Sequence, residues 1–168
     1  MLVLAGLTAG TIGLSPVFGG GLSGGSISSA LEAWVQLDTV SSWRTAILKE
    51  KPGGLVYSLY ANSSSARPQG EIVTGADVLA GAGPALTAGT WTHLALTYDG
   101  SQLRLFKNGV QVAQAASTGT IQASALPLRI GGNAIWGEYT DGRIDEVRVY
   151  NRVLSAAEIT SDMTKPVV

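Results

Sequence analysis

The chain has 168 residues, a one-domain length, with 45% apolar residues and a net charge of −1 at pH 7. Only 14% of residues are charged, against about 25% in ordinary soluble domains, and 22 are glycine, with Ser and Thr also abundant. This excludes a helical bundle, a coiled coil and an acidic disordered chain; it leaves no basic surface for nucleic acid, no apolar run of about 18 residues for a membrane span, and, with no Cys, no disulfide or thiolate chemistry.

In chain order, residues 1–31 carry no charge, and Glu32 is the first charged side chain. Gly6, Gly10 and Gly13 interrupt the apolar stretch around Leu2-Val3-Leu4-Ala5, and no Lys or Arg precedes it. Buried or Gly-rich strands are therefore expected there rather than a secretory leader. Leu2, Val3, Leu4, Leu7, Ile12, Leu14, Val17 and Phe18 would form an exposed apolar patch if unpaired. The segment is predicted to lie against another subunit or to join the protein's own sheet as a covered edge strand. Residues 1–26 are set apart on this basis from a domain over 27–168.

From Ser28 to Leu37, Leu31, Ala33, Val35 and Leu37 alternate with Glu32, Trp34 and Gln36, which predicts a strand with one apolar face. Thr45–Leu48 and Leu55–Ala61 read as the next two strands. Residues 62–70 read as a polar loop, and Gly81-Ala82-Gly83-Pro84 as a turn. The clearest segment is Trp91–Ala116, where apolar runs are separated by Asp99-Gly100 and Asn108-Gly109. Those dipeptides supply the positive φ of tight hairpin turns, predicting a three-stranded antiparallel meander. Leu126–Ile130 and Gly142–Tyr150 are further strands; in the second, neither alternating face is uniformly apolar. Ser155-Ala156-Ala157-Glu158 has the form of a capping box opening one short helix over residues 155–162. Many short strands, frequent turns and little helix predict an all-β sandwich or barrel.

Several blocks carry a more specific likeness: Glu32-Ala33-Trp34-Val35, Trp91 through Gly100, Leu105-Phe106-Lys107-Asn108-Gly109, Leu128 through Asn133 and Gly142 through Ser155. In order and spacing they resemble the laminin-G-like members of the concanavalin A-like lectin/glucanase superfamily, from about residue 27 to 160. The resemblance implies a two-sheet antiparallel jelly-roll sandwich with one short C-terminal helix. It leaves function open, because lectins, adhesion modules, glycosidases and structural domains share this fold.

Glycosidases of the superfamily carry carboxylates in a Glu-x-Asp-x-Glu style on one strand, where alternate side chains share a face. No such triplet occurs here, and Asp145-Glu146 are adjacent; a non-enzyme is expected. His93, the single histidine, is expected to be packed and hydrogen-bonded. Glu138, Asp141 and Asp145 form an oxygen-rich cluster suited to calcium, whose ligands are carboxylates, carbonyls and water. By resemblance, Asp145 matches a residue that often helps hold structural calcium. Asn62-Ser63-Ser64 fits the N-glycosylation pattern. Trp136, Tyr139, Trp43, Tyr57 and Tyr60 lie in or beside loops and strand ends, where aromatic rings stack on the apolar faces of sugars.

Two roles follow. The first is a non-catalytic structural or recognition module in an extracellular, cell-surface or virus-particle assembly, as a homo-oligomer or within a larger complex. It is favoured by the low charge, the positive mean hydropathy and the uncharged N-terminal stretch. The alternative is a lectin-like domain that binds a glycan through its loop aromatics.

Overall fold

The computed structural model describes residues 29–167 together with the backbone of three short strands before them, β1 (Leu2–Leu4), β2 (Leu7–Thr8) and β3 (Ile12–Leu14). Ten more strands follow: β4 (Ser29–Leu37), β5 (Arg44–Lys51), β6 (Gly54–Asn62), β7 (Gln69–Val73), β8 (Asp77–Gly81), β9 (Thr92–Tyr98), β10 (Gln102–Lys107), β11 (Val110–Ala116), β12 (Leu128–Ile130) and β13 (Gly142–Tyr150). One helix, α1 (Ala156–Asp162), closes the chain.

The strands form two antiparallel sheets. Sheet A runs β1-β13-β4-β9-β10-β11, with β2 also on β13; sheet B runs β3-β12-β5-β6-β7-β8. This is the expected two-sheet jelly roll. The uncharged N-terminal residues add edge strands to both sheets, Leu2 opposite Val149 and Ile12 opposite Ile130.

Inward-facing residues of both sheets meet in one core. Leu31, Ala33, Val35 and Leu37 of β4 lie against Ile47, Leu59, Ile72, Leu94, Leu96 and Tyr98, all almost fully buried. Burying one Leu or Ile stabilises by about 1.5–3 kcal/mol, so the period-2 pattern of β4 holds its register firmly. Gly70 of β7 marks a close approach of the sheets, since a Cβ there would lie 2.0 Å from Cδ1 of Leu96.

The Asn108-Gly109 hairpin has φ of 50° and 76°, as its sequence predicts. The Asp99-Gly100 connection is a longer loop: Oδ1 of Asp99 accepts hydrogen bonds from the backbone N–H groups of Ser101 and Gln102 and from the Ser101 hydroxyl. Only Gly100 there takes positive φ (91°). At α1 the capping box is complete, with Ser155 Oγ accepting from Glu158 N–H and Glu158 Oε2 accepting from Ser155 N–H.

Two features depart from the expectations. β7 and β8 fill residues 69–81, between the expected loop and turn, where no strand was expected; they are short, glycine-containing strands, β7 added to β6 and β8 to β7. In β13 the pairing to β4 gains an extra residue between Asp145 and Arg148, and Glu146 takes φ 52°. This bulge shifts the alternation by one residue. Ile144, Val147 and Val149 therefore all join the core, while Arg148 and Tyr150 face outward.

The outer face of sheet A is covered by α1 and the C-terminal tail, which bury Ala30, Ala95, Phe106, Tyr150, Leu154 and Ile159 as a second apolar cluster. Arg148, 5% exposed, holds this cover: Nη1 donates to the Asp162 carbonyl at 3.0 Å, and Nη2 donates to Glu146 Oε2 at 3.0 Å and to the Lys165 carbonyl. The Tyr150 hydroxyl donates to Asp162 Oδ2 at 2.8 Å.

Candidate functional site

The outer face of sheet B is covered differently, in part by the loop 131–141, and a pocket stays open beside that cover. There Leu48, Leu55, Tyr60 and Val73 form a small apolar cluster with Trp43 packed on it. The Trp43 and Tyr60 rings meet edge to face, centroids 4.7 Å apart. Beside them opens a pocket of about 460 Å³, within the size range of small-ligand sites. Trp43 and Trp136 supply its aromatic surface, the almost fully buried Tyr60 lies at its floor, and Lys51, Glu71, Asp77 and Glu138 are its charged groups.

Two neighbouring parts of the fold build the pocket. One is the face of β6 and β7, where Tyr60 and Glu71 point outward because β6 pairs with β7 in unbroken register. The other is the loop 131–141, clamped onto β5. Thr140 Oγ1 donates to the Thr45 carbonyl (2.6 Å), Asn133 Nδ2 to Thr45 Oγ1 (3.0 Å), and the Ala134 N–H to Glu50 Oε1 (2.9 Å), a carboxylate that Arg129 also holds. The fully buried Asn133 then accepts from the Trp136 N–H at 2.8 Å. Trp136 is thus presented on a fixed backbone with its ring 49% exposed.

Glu138 Oε2 accepts from the Tyr60 hydroxyl (3.0 Å) and from Asn133 Nδ2 (2.8 Å), tying the loop to the sheet. Burial, helped by the Glu138 carboxylate, pushes the Tyr60 phenol up. Glu71 is pushed up to about 7, first by burial and then by the Asp77 and Glu138 carboxylates, with Lys51 opposing. Among the described residues three carboxylates and one cation, Lys51, line the pocket. Lys51 Nζ is itself engaged with Gln122 Oε1 at 2.9 Å. On the same face Ser58, directly across from Glu71, and Gln69, across from Tyr60, are buried with Ser58 Oγ and Gln69 Nε2 lacking hydrogen-bond partners.

Of the five aromatics singled out from sequence, the structure brings Trp43, Tyr60 and Trp136 together. Tyr139, 51% exposed, lies on the same loop with its carbonyl accepting from Arg44 Nη1, but its ring does not line the pocket. Tyr57 is a correction: the β6 register turns it inward, where it is 3% exposed in the main core and offers no ring face to a ligand.

The three carboxylates considered for calcium do not converge. Glu138 faces the pocket; Asp141 Oδ2 accepts from Thr39 Oγ1 at 3.0 Å; Asp145 Oδ1 accepts from the Glu146 N–H at the bulge at 2.8 Å. Among the described residues no three His, Cys, Asp or Glu side chains gather into a group that could hold a metal ion.

Asn62 is 1% exposed and donates its amide to the Ser42 carbonyl at 2.7 Å, which closes this asparagine to glycosylation in the folded protein. His93 is packed as expected, edge-on to Trp34 with centroids 5.4 Å apart, but neither ring nitrogen has a hydrogen-bond partner. Burial, with Arg148 nearby, lowers it to about 4. Sequence reasoning missed Glu71, Asp77 and Lys51; the first two ride on β7 and β8, whose five-residue sequences are too short to carry a clear alternation.

A laminin-G-type family model, described as the concanavalin A-like lectin/glucanases superfamily, matches residues 19–160. The chain belongs to this superfamily. A curated relative, mouse (Mus musculus) pappalysin-1, is 34% identical over 80 residues, which is 45% of this chain and only 5% of that protein. Among solved structures, the CBM40 module of the Ruminococcus gnavus IT-sialidase superimposes with a TM-score of 0.73 at 16% identity, covering 97% of both chains. The same module has been seen bound to α2,3-sialyllactose. Domain 4 of the extracellular GH43 arabinanase AbnA from Geobacillus stearothermophilus, in complex with arabinotriose, aligns with a TM-score of 0.62 at 20% identity, over 82% of this chain and 66% of that one. At such identities these structures establish the shared fold alone.

Proposed function

We propose that this domain is a non-catalytic, extracellular carbohydrate-binding module that takes a glycan in the Trp43–Tyr60–Trp136 pocket. The observation that carries this reading is the exposed Trp136 ring, held on a clamped loop beside two further aromatics and a rim of charged and polar groups. Aromatic faces stack on the C–H faces of sugar rings while the polar rim meets hydroxyls. The carbohydrate-binding modules among the fold neighbours support the reading. The test is a glycan array followed by titration of the best binder against Trp136→Ala. Loss of binding by roughly tenfold or more, with an unchanged melting temperature, is expected. Binding indifferent to this substitution, or a blank array, removes the proposal.

A structural role in a homo-oligomer or larger assembly is the second reading. It rests on the uncharged residues 1–31, three of whose short stretches pair as edge strands β1, β2 and β3. Deleting residues 1–26 distinguishes the two. Light scattering that shows an oligomer lost from a still-folded domain favours assembly; an unchanged mass with glycan binding retained favours recognition alone.

A further inference from the structure

We infer that the pocket selects glycans bearing a protonated amine, such as de-N-acetylated amino sugars, over neutral and acidic ones. This rests on the glycan-binding reading above and specifies its ligand class. Two independent features of the walls point the same way. Trp43 and Trp136 present aromatic surface, with Tyr60 packed beneath Trp43, and an aromatic face attracts a cation through its quadrupole. Glu71, Asp77 and Glu138 surround the same space with carboxylates. An ammonium group there gains from both; a sialic or uronic acid carboxylate is opposed by both.

Among the described residues the one lining cation, Lys51, is turned to Gln122. Glu138 is fixed by Tyr60 and Asn133, so its charge stays in the wall. Glu71 lies between strands, across from Ser58 on β6 and Leu79 on β8, and the titratable groups that act on it are Asp77, Glu138 and Lys51. Burial first, and then the Asp77 and Glu138 carboxylates, raise its affinity for protons to near pH 7, so a bound ammonium would favour its ionised form. Binding an amine should therefore expel a proton from Glu71, and affinity should rise from pH 6 toward pH 7.5 so long as the ligand amine stays protonated.

The experiment is calorimetric titration of the intact domain at pH 7 with three probes: a fully de-N-acetylated glucosamine tetramer, its N-acetylated counterpart and α2,3-sialyllactose. The amine tetramer is expected to bind about tenfold or more tighter than the N-acetylated one, with sialyllactose weakest. The preference should shrink between about 0.05 and about 0.5 M salt. In the double variant Glu71→Gln/Asp77→Asn, the ratio should fall toward one. Equal or tighter binding of the N-acetylated or sialylated probe overturns the inference, as does a ratio that survives in the double variant. If the N-acetylated tetramer binds, Trp136→Ala abolishes that binding and yet no amine preference exists, the glycan-site reading stands and this one falls. Amine binding indifferent to Trp136→Ala overturns both.

Discussion

The two outer faces of the sandwich handle polar side chains in opposite ways. On sheet A, Glu32 and His93 are both fully buried under α1 and the C-terminal tail, and neither side chain has a hydrogen-bond partner. On sheet B, Glu71, Asp77 and Glu138 surround a solvent-reached pocket. A sealed face answers buried charge by suppressing it: Glu32 is pushed up to about 8, first by burial and then by Asp162, with Arg148 opposing, and His93 falls to about 4. On the open side burial raises Glu71 less far, to about 7, and its carboxylate lines a pocket that a ligand can reach. The comparison teaches that the same sheet chemistry becomes structural or functional according to what covers it.

The largest expected effect lies on the sealed face. Arg148→Ala removes the side chain that ties the tail to β13, takes the guanidinium donor from the Asp162 and Lys165 carbonyls, and leaves the Glu146 carboxylate with only the Val167 N–H. A loss of about 3–5 kcal/mol is expected in urea unfolding, as for broken buried ion pairs. A loss below about 1 kcal/mol would mean the cover contributes little.

On the open face, Trp43→Ala should cost less stability, about 1–2 kcal/mol, because the ring is only half-buried against Tyr60. It should also weaken glycan binding, so calorimetry and a melting curve on one sample check both.

A smaller effect concerns pH. Glu32 carries a folded-state affinity for protons above its unfolded value, so its contribution to stability is complete below about 4.5 and is lost as pH rises toward about 8. His93 runs the other way: its contribution is complete above about 6.5 and is lost as pH falls toward about 4. Stability should therefore be greatest between about 4.5 and 6.5. Glu32→Gln should raise stability at pH 8.5 by on the order of 1–2 kcal/mol and leave it nearly unchanged at pH 5. Equal effects at both pH values would show that Glu32 does not titrate in this window.

The smallest effect is from chelation. Glu138, Asp141 and Asp145 each serve separate partners, so EDTA should shift the melting temperature by less than the error of the scan. A clear drop would restore a calcium site.

The legible parts of the fold were those governed by local sterics. Asn108-Gly109 supplies positive φ, Ser155 and Glu158 satisfy backbone groups within four residues, and β4 declares its inner face by strict alternation. Trp136 and Trp43 stood out because large aromatics beside loops need either a core or a ligand. Tyr57 could not be told from Tyr60 by type, since only the β6 register assigns one to the core and the other to the pocket.

What the amino-acid sequence determined by itself was the all-β class, the hairpin, the helix cap and the superfamily, because each depends on short-range patterns or on blocks in order. The tertiary structure alone decided the rest. β7 and β8 are strands because β6 offers β7 a paired edge and β7 offers one to β8, and Gly70 serves there because Leu96 of the other sheet leaves no room for a side chain. The bulge at Glu146 turns Val147 and Val149 inward and Arg148 outward beneath the helix. Glu71 reaches the Trp136 loop only through pairings between segments more than sixty residues apart, and no local signal in the chain records which distant strands will meet.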